Sequence, residues 1–336
     1  MKTTNRTEGI SVIICSYNGE KKIKATLSAI LEQKIPSFLS WEVIFIDNNS
    51  SDNTLSNVKN YSSLFESKKI PLSFYSEPKK GKFHALNRGI SHANYQYFIV
   101  VDDDNWLYPN YVAKAFELIH NKPYIGAIGS YSEPVFEHTP EKLPKWFKNN
   151  QGCYAIGSQG KDGDVTERKH LWGAGMVSQT ELYEKMYAEH PSLLFDNGIE
   201  DIYIAEDTEY CLRLILKGYQ LYYSSDLKLK HYVPQERLSY DYWEKLNSNI
   251  RNSYKIIDYY NALWKLKNPK YKSKIRRLRL KLASKYRYLV TSDPTKKQRH
   301  GIILELLSSS RERSRLLQRL NRFMSDRTLQ NPYTTS

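Results

Sequence analysis

Apolar residues in the first hundred positions follow two alternating periods. Ser11–Cys15 reads SVIIC, Trp41–Ile46 reads WEVIFI, Pro71–Tyr75 reads PLSFY and Tyr97–Val101 reads YFIVV. Short apolar runs bounded by polar clusters predict strands buried on both faces. Between them the spacing becomes helical. Ile23, Leu27, Ile30 and Leu31 form a stripe within residues 21–33, and Ser50, Ser51 and Asp52 can cap a second helix. Phe83–Ala93 predicts a third. Repeated βα units imply a largely parallel sheet covered by helices. Helical spacing returns at Gln179–Tyr187 and Asp207–Lys217, and Gln220–Ser224 predicts one more strand. Residues 131–170 are rich in Pro, Gly, Lys and polar positions and read as a loop region beside an active site.

Beyond Trp243 the pattern is helical and basic. Ile275, Leu278, Leu282, Tyr286 and Leu289 form one stripe, with Arg276, Arg277, Arg279, Lys281 and Lys285 around it. A further helix is expected at Ile302, Ile303, Leu306 and Leu307, continuing or restarting through Leu316–Phe323. Charge sharpens this division. Residues 245–336 hold 23 Lys and Arg against 5 Asp and Glu, whereas residues 1–244 hold 27 against 31, so the whole net charge of +14 comes from the last quarter. The expected organisation is an α/β domain over 1–244 and a basic helical region over 245–336. Basic segments of this kind meet anionic lipid or nucleic acid. A helical subdomain packed on the first domain, its two apolar stripes burying each other, or contact with a second copy in a homo-oligomer, are the competing uses. Three cysteines without metal-ligand spacing indicate a reducing compartment. With no signal-peptide core and no apolar run near the ~20 residues of a membrane span, a cytoplasmic protein is expected, soluble or peripheral on the inner membrane face.

The fourth predicted strand empties into Asp102, Asp103 and Asp104. Three neighbouring carboxylates repel one another, and a cation would relieve them; hard oxygen ligands suit Mg²⁺ or Mn²⁺. Ligands of open α/β sheets bind beyond the carboxyl ends of strands, where this triplet falls. An acidic turn capping the helix near Pro109 is the plainer alternative. Ser16, Tyr17, Asn18 and Glu20 follow the first strand, and Asp47 and Asn49 follow the second. A carboxylate there can accept bonds from a base N–H or a ribose hydroxyl, or simply close a turn. Glu77–Lys82 reads EPKKGK before the helix that carries Asn87, and its lysines and helix N-terminus can attract phosphate. Neither G-x-G-x-x-G nor G-x-x-x-x-G-K-[ST] occurs, which argues against a dinucleotide site and a P-loop. The glycines of Trp172–Gly175, WGAG, allow close backbone approach, and the indole could stack on a sugar; an ordinary strand start is the alternative. Glu206 and Asp207 open a helix, where the dipole favours acids in any case.

Taken in order, these segments resemble the family 2 glycosyltransferases of the GT-A fold. The matching pieces are SVIICSYN at 11–18, IDNNSSD at 46–52, GKFHALN at 81–87, VDDD at 101–104, WGAG at 172–175 and AED at 205–207. The resemblance covers roughly residues 9–240 and implies an α/β fold with a mostly parallel sheet flanked by helices, extended by a basic α-helical C-terminal region. It implies a nucleotide-sugar donor, taken to be a UDP-sugar, and a glycan or lipid-linked saccharide acceptor, with residues 1–244 as the catalytic domain, its nucleotide-binding half at about 9–130 and its acceptor-side half at about 131–244. Asp47 would bind the base, and Ser16, Tyr17, Asn18, Glu20, Asn49, Lys82, Asn87, Asp102 and Asp103 would line the donor site. Asp104, with Asp102 and His231, would hold Mn²⁺ or Mg²⁺. Asp207 would be the general base of an inverting displacement, supported by Glu206, and Trp172, Gly173, Ala174 and Gly175 would lie against sugar. The Q-x-x-R-W motif of processive synthases is absent, Gln235-Glu-Arg237 being a partial echo, so one sugar per acceptor is expected. A nucleic-acid-binding protein would explain the tail but not the acidic strand ends. A sugar nucleotidyltransferase would share the fold and metal, but its Gly-rich, Arg-containing loop is missing after Ile14.

Overall fold

The computed structural model describes residues 6–195, 204–308 and 314–333. Strand β1 (Thr7–Ser16) leads through α1 (Ile23–Leu31) to β2 (Trp41–Asp47). Two short helices, α2 (Thr54–Lys59) and α3 (Ser62–Ser67), precede β3 (Leu72–Ser76). Then come α4 (Lys82–His92), β4 (Tyr95–Asp102), β5 (Asn105–Leu107) and α5 (Tyr111–Ile119). The second half supplies β6 (Ile125–Phe136), α6 (Lys145–Asn149), β7 (Gly163–Asp164), β8 (Val177–Gln179), α7 (Thr180–Ala188), α8 (Glu206–Leu216) and β9 (Gln220–Val233). Helices α9 (Tyr240–Lys267), α10 (Lys274–Val290), α11 (Pro294–Leu306) and α12 (Arg315–Ser325) end the chain.

The strands form one sheet in the order β3-β2-β1-β4-β8-β6-β9-β5, with β7 on β9. Strands β1 to β4 pair in parallel, as the βα pattern predicts, and the central residues of β1, β2 and β4 are buried on both faces. Helix α4 lies close on this half: a Cβ on Gly89 would collide with Ile13, so only glycine permits the approach. The other half is mixed. β8 runs antiparallel to β4 and β6, β5 and β7 run antiparallel to β9, and β6 and β9 are parallel.

The structure corrects the sequence reading in three places. Residues 131–136 are not loop but the second half of β6, paired with residues 228–233. Their side chains are mostly half-buried, so polar residues are tolerated and the apolar signal fades. Strand β9 continues nine residues past Ser224; its partner register jumps there, residues 225–227 bulging out between Ser130 and Tyr131. Finally, the basic region packs on the rest of the chain, one of the uses expected for it, but its two apolar stripes do not bury each other. Helix α9 crosses position 244 without a break, and Ile257 and Tyr260 enter the main core together with Leu317, Leu320 and Phe323 of α12. Ile302 and Ile303 of α11 pack on Ala262, whereas the stripe from Ile275 to Leu289 on α10 is exposed. The expected link from α11 towards α12 lies at 309–313, outside the described residues.

A buried ionic network joins α8 to these helices. Glu209 and Arg213, one turn apart, pair at 3.0 Å with almost no exposed side chain. The Tyr260 hydroxyl donates to Glu209 at 2.8 Å, and Arg213 donates to the carbonyls of Met186 and Pro191 at 2.9 and 3.0 Å. The Leu193 amide donates to the same carboxylate at 2.9 Å. Lys217, at the end of α8, donates to the carbonyls of Phe323 and Asp326. A buried charge stripped of its partner is expensive. Arg213→Ala should therefore cost about 3–5 kcal/mol in urea unfolding, against about 1 kcal/mol for Tyr260→Phe, which removes only a hydroxyl. A loss for Arg213→Ala no larger than for Tyr260→Phe would mean that solvent reaches the pair.

Candidate active site

Parallel register sets Ser16 beside Asp47 and Cys15 beside Asp102, so three neighbouring strands end at one level. The triplet that leaves β4 does not point as a unit. Asp102 turns to α4, where Lys82 Nζ meets its two oxygens at 2.6 and 2.7 Å. Asp103 turns back beneath β1: it accepts from Ser16 Oγ at 2.6 Å and pairs with Lys22 at 2.7 Å. Its carbonyl also accepts from Thr26 Oγ1 at 2.8 Å. A Cβ on Gly19 would strike both Ser16 Oγ and the Asp103 carboxylate, so the loop after β1 is built around this contact. Asp104 turns to β9 and the turn after it, with Arg237 at 3.1 Å, His231 at 3.6 Å and Lys22 at 3.9 Å.

Each environment moves the protonation of its group differently. Burial pushes the Asp103 carboxyl upward; Lys22 offsets part of this and neighbouring Asp104 adds to it, leaving the carboxyl above its usual range. Burial also opposes ionisation of Asp104, but His231, Arg237, Lys22 and Lys82 outweigh it and hold that carboxyl below its usual range. Burial alone would depress the Lys82 ammonium; Asp102 and Glu206 reverse this and hold it above the usual lysine range.

These groups line a pocket of about 320 Å³ together with Tyr17 and Asn48. A larger cleft of about 1370 Å³ lies between residues 164–169 and helices α9 and α11, but neither Asp47 nor any of Asp102, Asp103 and Asp104 lines it. Asp47 is buried, and its Oδ1 has no hydrogen-bond partner among the described residues. A buried acceptor without a donor suits a ligand N–H or hydroxyl.

The other expected donor-site residues divide. Tyr17 is half-exposed with Lys80 over its ring at 5.3 Å. Asn18 and Glu20 instead brace the neighbouring loop: Asn18 Oδ1 accepts from the Ser51 amide at 2.9 Å, and Glu20 accepts from Asn53 Nδ2 at 2.9 Å. Asn49 is exposed, with φ of +62°, and Asn87 donates to Phe83 O within its own helix at 2.8 Å. The buried neighbour Asn48 lines the pocket. Its amide donates to the carbonyls of Glu77 and Lys79 at 3.0 and 2.8 Å and accepts from Gly81 N at 2.8 Å, holding the lysine loop against the strand ends.

Across the pocket mouth from the lysine loop, Asp207 stands at the N-terminus of α8 and accepts from Gly173 N at 2.9 Å and Thr208 N at 2.6 Å. A Cβ on Gly173 would lie 3.2 Å from Lys82 Nζ and 3.7 Å from Asp207 Oδ2, so the two face each other over one bare backbone unit. The rest of WGAG is structural. Trp172 is buried, with the Arg168 guanidinium 5.4 Å from its ring centroid, so its face is not open to a sugar. The Ala174 carbonyl accepts from Ser130 Oγ at 2.9 Å and the Gly175 carbonyl from Tyr111 OH at 2.5 Å.

A divalent cation can be tested against this donor set. His231 Nε2 faces Asp104, while its buried Nδ1 has no hydrogen-bond partner among the described residues. Asp102 is taken up by Lys82, and among the described residues no three His, Cys, Asp or Glu side chains gather closely enough to cage an ion alone. One carboxylate and one imidazole beside a phosphate-sized, cation-lined pocket fit an ion that substrate oxygens also bind, the usual arrangement for Mg²⁺ and Mn²⁺. Lys22, Asn48 and Arg237 were not singled out from sequence; only the Gln235-Glu-Arg237 echo pointed to one of them.

Comparisons with known proteins follow this geometry. The family model described as Glycosyl transferase family 2 matches residues 11–172. An uncharacterized glycosyltransferase of Haemophilus influenzae is 31% identical over 156 residues, 46% of this chain and 42% of the relative, so the chain spans less than half that protein's length. The dolichyl N-acetyl-alpha-D-glucosaminyl phosphate 3-beta-D-2,3-diacetamido-2,3-dideoxy-beta-D-glucuronosyltransferase of Methanococcus voltae is 23% identical over 67% of each chain. Among solved structures, the mannosyltransferase PcManGT of Pyrobaculum calidifontis, in complex with GDP-Man and Mn²⁺, covers 96% of this chain and 82% of its own. Its TM-score is 0.52 at 17% identity, which speaks for the shared fold.

One acid here should titrate near neutrality. Burial, then the neighbouring Asp207, raises Glu206 from 4.5 to about 7. A raised carboxyl favours the fold when protonated; that contribution is complete below 4.5 and is lost as pH rises through 7. Glu206→Gln should leave the melting temperature unchanged at about pH 5 and raise it relative to wild type at about pH 8. Parallel melting curves for the two proteins across that range would show Glu206 to be ordinarily ionised.

Proposed function

We propose that this chain, a family 2 glycosyltransferase by its residues 11–172, moves a sugar from a nucleoside-diphosphate donor to the hydroxyl of a glycan or lipid-linked saccharide. The observation that carries this reading is the opposition of Lys82 and Asp207 across Gly173. A cation that suits a departing phosphate and a carboxylate that suits an incoming hydroxyl lie on two sides of one small space. The lipid-linked alternative is favoured by the dolichyl acceptor named for the Methanococcus relative. A UDP-sugar is the donor implied by the sequence resemblance.

In this reading Asp47 accepts from the base, and Lys22, Lys82 and Arg237 surround the diphosphate. A bound Mn²⁺ or Mg²⁺, held by Asp104 and His231, would supply Lewis-acid stabilisation of the leaving nucleoside diphosphate. Asp207 removes the acceptor hydroxyl proton as the new carbon–oxygen bond forms and the bond to the diphosphate breaks on the opposite face, inverting the anomeric centre. Asp102 orients Lys82, Asp103 holds the loop after β1, and Glu206 supports Asp207.

Asp207→Asn should lower turnover by roughly 10²–10⁴-fold while leaving donor affinity unchanged by calorimetry. A larger loss from Glu206→Gln than from Asp207→Asn would transfer the proton-accepting role to Glu206. Chelation should remove activity, restored by Mn²⁺, and thermal shifts with UDP-, GDP- and other nucleotide-sugars should identify the donor. Release of pyrophosphate in place of nucleoside diphosphate would instead identify a nucleotidyltransferase.

A further inference from the structure

We propose that the outward face of α10 is a docking surface for an anionic lipid bilayer. Ile275, Leu278, Leu282, Tyr286 and Leu289 recur at helical spacing, and each is 57–71% exposed. Large apolar side chains exposed singly are ordinary, but five in one row along a helix are not. The opposite face is already committed: Ser284 is buried, and Leu280 packs with Ile302 and Ile303 of α11. The exposed stripe is therefore not one half of an internal contact.

Charge identifies the occupant. Helix α10 carries Lys274, Arg276, Arg277, Arg279, Lys281, Lys285 and Arg287 and no acidic residue. An apolar row flanked by cations, on a helix too polar to cross a membrane, is the composition of a helix lying in the bilayer interface. Lys and Arg stems can lie along the acyl boundary while their charged ends reach the headgroups. A second copy fits poorly, since two such faces would bring together like charges with no acid on α10 to answer them. Nucleic acid would satisfy the cations but leave the leucines in water. A single helix of this kind gives reversible attachment. The proposal stands independently of the transferase reading, because α10 contributes nothing to the strand-end pocket.

Sedimentation of the full chain with vesicles tests it. Wild type should pellet with vesicles of phosphatidylcholine containing about one-third phosphatidylglycerol, bind pure phosphatidylcholine weakly, and lose binding as salt rises. The double variant Leu278→Glu/Leu282→Glu should bind the anionic vesicles at least about tenfold more weakly. A second variant, Arg276→Ala/Arg279→Ala, should weaken binding and flatten its salt dependence. All altered side chains are exposed, so melting temperatures should match wild type. Undiminished pelleting of the leucine variant would overturn the proposal. So would a wild-type dimer, seen by light scattering, that the leucine variant splits while neither protein binds vesicles. Transfer to a soluble acceptor should be unchanged in both variants, which separates failure here from failure of the catalytic reading.

Discussion

Three carboxylates in succession, at the end of a strand buried on both faces, set the terms for the rest of this molecule. The backbone cannot spread Asp102, Asp103 and Asp104 apart, so the fold separates them by direction. Each is answered from a different element: Lys82 from α4, Lys22 from the turn before α1, and His231 of β9 with Arg237 from the turn after it. Those cations come from distant parts of the sequence, and meeting them draws the first and second halves of the chain together. The repulsion thus organises a pocket whose floor is acidic and whose walls are basic. Such a pocket is suited to a ligand that brings its own negative charge.

The acceptor-side carboxylate is positioned by a different force. Asp207 begins α8, and the same helix continues into Glu209, Arg213 and Lys217, all buried. Each buried charge is fastened to a separate element: Tyr260 of α9, the carbonyls of 186–191, and the carbonyls of Phe323 and Asp326. Buried ion pairs contribute little net stability, but their geometry is demanding. The rotation and depth of α8 are fixed by these bonds, and with them the place where Asp207 meets Gly173.

The parallel half was legible from sequence because strands β1, β2 and β4 are buried on both faces and leave uninterrupted apolar runs. Their ends carry Asp47 and the triplet, so the carboxylates that gather at the strand ends were legible too. The mixed half was not. Strands β6 and β9 are half-exposed over their second halves, and their polar residues there resemble loop. The continuation of β9 is what carries His231 opposite Asn105, directly after the triplet. Long-range partners also escaped. Lys22 and Arg237 look like solvated surface charges until folding places them on Asp103 and Asp104. Trp172 was assigned to sugar stacking because aromatic character does not reveal burial. The amphipathic stripe of α10 was plain in the sequence, but whether its apolar face turned inward depended on which face α11 occupied.

The closing contacts of Lys217 with Phe323 and Asp326 bear on the order in which the protein is made. Every residue facing the strand-end pocket has been synthesised by Arg237, roughly a hundred residues before the end. Until the last helix emerges from the ribosome, the ammonium at the base of α8 lacks its carbonyl partners and Leu214 and its neighbours lack part of their cover. The side chains that line the pocket thus all precede α12, the helix that completes the anchoring of α8. A chain interrupted before α12 would carry every one of them while α8 was not yet locked in place.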